Sequence, residues 1–128
     1  MDVAKARFES FYLPFLKLYI RNSMWAIRLS EISIEARDGL MHLVIENLQH
    51  TSFALQRLVP DLYTTHLELI EHGKGNSKYK PSLAHIDNLF HQFAKVALFD
   101  YQELAAQLKL PTPAMPPLPI GAQLQPRQ

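Results

Sequence analysis

Residues 23–58 read SMWAIRLSEISIEARDGLMHLVIENLQHTSFALQRL, and how this stretch folds decides the architecture. Ile20, Ile27, Ile34, Met41, Leu48 and Leu55 recur every seven residues. A second line, Trp25, Leu29, Ile32, Ala36, Leu40 and Leu43, runs beside it in steps of three and four. That is the period of a helix with one apolar face, not the alternation of a strand. Asn22 or Ser23 can cap its start, and Pro60 marks the helix that follows, since proline suits a first helical position. The pattern predicts one helix from Ser23 to Leu58, roughly 50 Å long. Gly39 is its weak point. Glu31 and Asp38 lie near the seam and argue against a clean two-stranded coiled coil.

Upstream, Asp2 is placed to cap a helix running to about Arg21. Arg7, Ser10, Pro14, Lys17 and Arg21 share a polar strip, so Pro14 predicts a kink there and not an end. Phe8, Phe11, Tyr12, Phe15 and Tyr19 form an aromatic stripe, and Leu13, Leu16 and Ile20 widen the apolar surface beside it. The arc exceeds the roughly 100° that a surface helix requires. Either this helix is central in its own bundle, or those five rings meet another subunit, most simply in a two-fold dimer.

Downstream, Pro60 to about His72 reads as a shorter helix, with Asp61 at its positive end and Gly73 as a left-handed stop. Residues 73–80 read as a loop. Pro81 and Ser82 open a last helix whose stripe is Ile86, Phe90, Phe93, Ala97, Tyr101, Leu104 and Leu108. Pro111 ends it, and residues 111–128 hold six of the nine prolines, the composition of an extended tail. The expected fold is all-α: a bundle domain over 1–110, antiparallel, of about four unequal helices with one long central helix, followed by an extended Pro-rich C-terminal tail.

Composition narrows the functional classes. A chain of 128 residues suits one domain. Without cysteine there is no disulfide, thiolate metal site or cysteine nucleophile. A net charge of +1 lacks the positive field that carries most nucleic-acid binding. The most apolar run, Phe8 to Ile20, is interrupted by Glu9, Pro14 and Lys17, so it reads neither as a spanning helix nor, without a small-residue cleavage site, as a signal peptide. The expected compartment is the cytoplasm.

Two constellations offer chemistry. His42, Glu46 and His50 step by four along the expected long helix, a spacing open to metal ligation, with Asp87 and His91 as a similar pair. The Glu-x-x-His pairs of carboxylate-bridged bundles are absent. The second constellation is Arg37-Asp38-Gly39-Leu40-Met41-His42: an arginine, a polar residue, three more and a histidine. It resembles the motif of HEPN ribonucleases. That resemblance, confined to these six residues, implies an all-α dimer in which Arg37 and His42 of two subunits cleave RNA without metal, Asp38 being the polar neighbour. Histidine would move the 2′-hydroxyl proton and arginine would stabilise the pentacoordinate phosphate. The plainer alternative pairs Arg37 with Asp38 or Glu35 on a solvated face and leaves His42 in water.

Lys74, Lys78 and Lys80 lack the pattern of a nucleotide-cradling loop and read as solvated. Pro113–Pro116 and Pro116–Pro119 both match Pro-x-x-Pro, which suits aromatic grooves; packing of Leu118 and Ile120 on the same chain or its dimer mate, and a disordered tail over 111–128, are the other readings. The expectation is a non-enzymatic interaction or structural protein without cofactor. It is a homodimer binding protein partners through apolar helix faces, with Phe8, Phe11, Tyr12, Phe15 and Tyr19 as the interaction surface. A metal-independent ribonuclease and a metal-binding bundle are the alternatives.

Overall fold

The computed structural model describes residues 2–76, 78, 82–111 and 115–119. Among them there is helix and no strand, and four helices carry the fold. Helix α1 covers residues 3–21, α2 Ile34–Glu46, α3 Val59–Gly73 and α4 Leu83–Gln107. A 3-10 turn, Leu48–His50, and a single helical turn, Phe53–Gln56, connect α2 to α3. The long central helix is therefore α4, about 37 Å from end to end.

Helix α1 starts on Asp2, whose side chain accepts from the Lys5 amide. Its second turn, Phe8–Tyr12, is a π turn in which the Leu13 amide donates to the Phe8 carbonyl. Pro14 follows directly and has no amide to offer, so the wide turn accommodates a ladder already missing one donor. The helix continues through Pro14 to Arg21.

The helix expected over 23–58 does not form. Its heptad line belongs to several different elements, and Ile20, Ile27 and Ile34 on that line are 49%, 43% and 54% exposed. Small polar side chains make the breaks. Ser23 takes a left-handed φ of 49°, and the amides of Ser23 and Met24 reach back to the carbonyls of Ile20 and Tyr19, closing α1 in a Schellman motif. It ends one helix where the sequence suggests that it begins the next. Ser33 caps α2 by accepting from the Ala36 amide, and Ser52 caps the Phe53–Gln56 turn in the same way through Leu55. The Asn47 side chain donates to the Leu43 carbonyl at the other end of α2. Such local bonds are why serine and asparagine favour helix ends over interiors. Residues 24–33 are instead pinned by the buried side chains of Met24, Leu29 and Ile32.

The shorter expected helix forms as Val59–Gly73 with Pro60 in its first turn. Gly73 is not the left-handed stop; Gly75 is, at φ +89°, with its amide and that of Asn76 returning to the carbonyls of His72 and Glu71. Ser82 caps α4 through the His85 amide, and Lys109 (φ 60°) closes it. Ser77, Tyr79, Lys80 and Pro81 lie outside the described residues, and so do residues 112–114 and 120–128, which hold much of the expected tail and the first Pro-x-x-Pro.

The core is aromatic. Phe8 meets Tyr101, Phe11 and Phe15 meet Phe93, and Tyr19 meets Phe90, with ring centroids 5.0–6.4 Å apart. Rising positions on α1 meet falling positions on α4, so the two helices are antiparallel. Of the expected α4 stripe, Ile86, Phe90, Phe93 and Ala97 are at 0% exposure and Tyr101 is buried, while Leu104 and Leu108 are half-buried. Helix α2 packs on α1 and α3, and α3 on α4.

Gly39 sits within α2, and a Cβ added there meets no atom within 4 Å. Gly39→Ala is expected to raise unfolding free energy by about 0.5–1 kcal/mol, because alanine loses less backbone entropy in a helix. Urea denaturation checks it; an unchanged or lowered midpoint would contradict the helical assignment.

Candidate functional site

Arg37 and Asp38 are consecutive on α2 and point in different directions. Arg37 is buried: its Nε donates to His66 Nδ1 at 3.0 Å and its Nη1 to the Leu29 carbonyl at 3.3 Å. An arginine can only donate, so His66 Nδ1 is the unprotonated nitrogen and Nε2 carries the hydrogen. That Nε2–H lies 3.2 Å from Asp38 Oδ1, the far end of a chain from arginine through histidine to carboxylate. His66 comes from α3 and is fully buried. Its pKa is held below the usual imidazole range, first by burial and also by the Arg37 charge, with Asp38 opposing. The Arg37 pKa is lowered by burial.

Asp38 lines a shallow recess of about 140 Å³ with His42, Glu46 and Tyr63, floored by Met41 and Ile45. This gathers Asp38, His42 and Glu46 on one face of α2 and turns Arg37 away from it. The residues of the Arg-x4-His motif are thus split: His42 is exposed, while Arg37 ties residue 29 and α3 to α2. The plainer expectation also needs correcting, since Arg37 is buried and bonds to histidine, not to Glu35 or Asp38 on a solvated face. A phosphate in the recess would meet His42 and two carboxylates, with the guanidinium directed elsewhere.

The His42, Glu46, His50 spacing presupposes a continuous helix, and α2 ends at Glu46. His50 falls in the 3-10 turn and does not line the recess. Among the described residues no three histidines or carboxylates stand together as a metal site. Asp87 accepts from the Ser30 amide and hydroxyl at 3.0 and 2.9 Å, while His91 Nδ1 donates to the Pro119 carbonyl at 2.7 Å. Both belong to the packing of the chain on itself.

The five rings expected as an interaction surface are buried inside the single chain, none more than 6% exposed. Of the two readings of the over-wide arc, the central position holds, and Ile20 is the part left uncovered. The second Pro-x-x-Pro is also engaged internally. Tyr19 donates its hydroxyl to the Pro117 carbonyl, and Pro119 is buried.

A larger opening lies against α4. A groove of about 790 Å³ runs between the Phe53–Gln56 turn and α4, with an apolar floor of Ala54, Leu58 and Val96. Arg57, Lys95 and Asp100 stand on its walls with Phe99. Asp100 is fixed from behind by the Tyr12 hydroxyl, which donates to it at 2.9 Å and accepts from the Ser52 amide. Phe99 is 60% exposed, and Phe53, one turn from Arg57, is 75% exposed. At 100° per residue Phe99 falls opposite the stripe of Ile86, Phe90 and Phe93. That offset is the one sequence signal that could have found this face.

No protein-family model matches the chain, and neither a curated protein nor a solved structure matches it.

The Arg37–His66 bond has a consequence for pH. His66 binds a proton less readily folded than unfolded, so the unfolded chain takes up more protons as pH falls below about 6.5. Its contribution therefore lowers stability from about pH 7 toward pH 5. His66→Gln can accept from Arg37 and donate to Asp38 without titrating. We expect its unfolding free energy to fall less over that interval than the wild type's; equal slopes in urea denaturation would refute a His66 pKa lowered by burial.

Proposed function

We propose that the chain is a non-enzymatic interaction protein that works as a homodimer and binds through apolar helix faces. The observation that carries this is the exposure of Phe99 on the wall of the apolar groove. Single exposed apolar side chains are ordinary, but an exposed phenylalanine continuous with an apolar groove is a mark of an interface. Val96 and Leu58 extend that surface along the groove. The surface is unrelated to the aromatic stripe of α1, which is needed inside the chain.

The alternatives have less support. Metal-independent RNA cleavage needs an arginine and a histidine converging on one phosphate, and Arg37 is held inward by Leu29 and His66. Metal binding through His42, Glu46 and His50 needs a continuous helix that ends before His50. Among the described residues no helix is long and apolar enough to cross a membrane.

Light scattering on the purified full chain tests the reading. A mass of twice the 14.7 kDa chain, falling toward one chain on dilution, is expected. A single-chain mass at every concentration would overturn it.

A further inference from the structure

We propose that two copies pair α4 against α4, antiparallel, about a two-fold axis at Phe99. This rests on the homodimer reading above and names its surface. Lys95, Phe99 and Glu103 are spaced four residues apart and fall within about 80° on the helix circumference. All three are exposed, and among the described residues neither Lys95 nor Glu103 takes part in an ion pair.

A two-fold contact is self-complementary: what one protomer offers, its partner must receive from the same surface. In an antiparallel pair centred on Phe99, each residue meets the one equally far beyond the axis. Phe99 then meets its own copy, and Lys95 meets Glu103 of the partner subunit. The symmetry makes that ion pair twice, one helical turn, about 6 Å, on either side of the ring contact. Parallel pairing would instead set Lys95 against Lys95 and Glu103 against Glu103. Charge thus selects both the direction and the register.

The rest of the face agrees. Arg57 and Lys95 balance Asp100 and Glu103, so the surface carries no net charge that would call for an acidic or basic partner of another kind. Gln92 and Ala106, both exposed, come opposite each other, which puts a small side chain where the next turn makes contact. The floor of the groove extends the apolar area beyond the two helices. A second copy is the occupant whose charges match without adjustment.

Charge reversal tests this, read by light scattering and sedimentation equilibrium on the full chain. Lys95→Glu and Glu103→Lys each create two like-charge contacts, and each is expected to weaken dimerisation about tenfold. The double variant, Lys95→Glu with Glu103→Lys, re-forms both pairs in reverse and should return within about twofold of the wild-type Kd. Phe99→Glu places two carboxylates on the axis and should leave a monomer. All three positions changed are exposed, so thermal unfolding of the monomer is expected to be little altered. A wild-type dimer that survives Phe99→Glu, or a double variant as weak as the singles, overturns the α4 pairing while leaving the homodimer standing. A wild-type chain that is monomeric throughout overturns both.

Discussion

The aromatic face of α1 is the constraint on which the structure depends. Phe8, Phe11, Tyr12, Phe15 and Tyr19 form one stripe that no single neighbour could cover, and burying such rings is the largest apolar gain open to this chain. Helix α4 answers with Phe90, Phe93 and Tyr101 along its length. Because the two helices come from opposite ends of the chain, closing this contact draws everything between them around it.

Polar bonds then fix how that covering is done. Tyr12 reaches both Asp100 on α4 and the Ser52 amide, so one buried hydroxyl locates the Phe53–Gln56 turn against the helix pair. Burial and the neighbouring carboxylate keep that hydroxyl protonated far above the usual phenol range. Asp87 holds residues 28–30 through Ser30, with the Arg28 guanidinium 4.0 Å away. Arg37 and His66 join α2 to α3. Each bond links segments distant in sequence, and a half-satisfied buried network is costly enough that these partners specify the arrangement. The groove beside Phe99 exists because Tyr12 and Ser52 set the short turn where they do.

The sequence shows the helices that own both their caps and their faces. Asp2, Pro60, Ser82 and the stripe from Ile86 to Leu108 are readable locally, and α1, α3 and α4 follow. Residues 23–58 are not. There a heptad of isoleucines and leucines competes with Ser23, Ser30, Ser33, Asn47 and Ser52, and counting apolar positions gives the serines no weight. What decides against the helix is partly remote, since Ser30 bonds to Asp87, 57 residues away. The site was hidden for the same reason. Arg37 and His42 are close in sequence and divide between core and surface, because the partner that turns Arg37 inward is His66, 29 residues on. Phe99 needed only its helical angle, which sets it opposite the buried stripe.

The enclosed α1 stripe serves folding, and the outward α4 face is the surface proposed for association. The most direct measurement is amide hydrogen exchange at concentrations where scattering shows only single chains. With the α1 stripe belonging to the chain's own core, amides of residues 15–21 should be among the slowest to exchange, opening only with global unfolding. Exchange there as fast as in residues 24–33 would mean that α1 is covered only in the assembly, and would contradict the account at its centre.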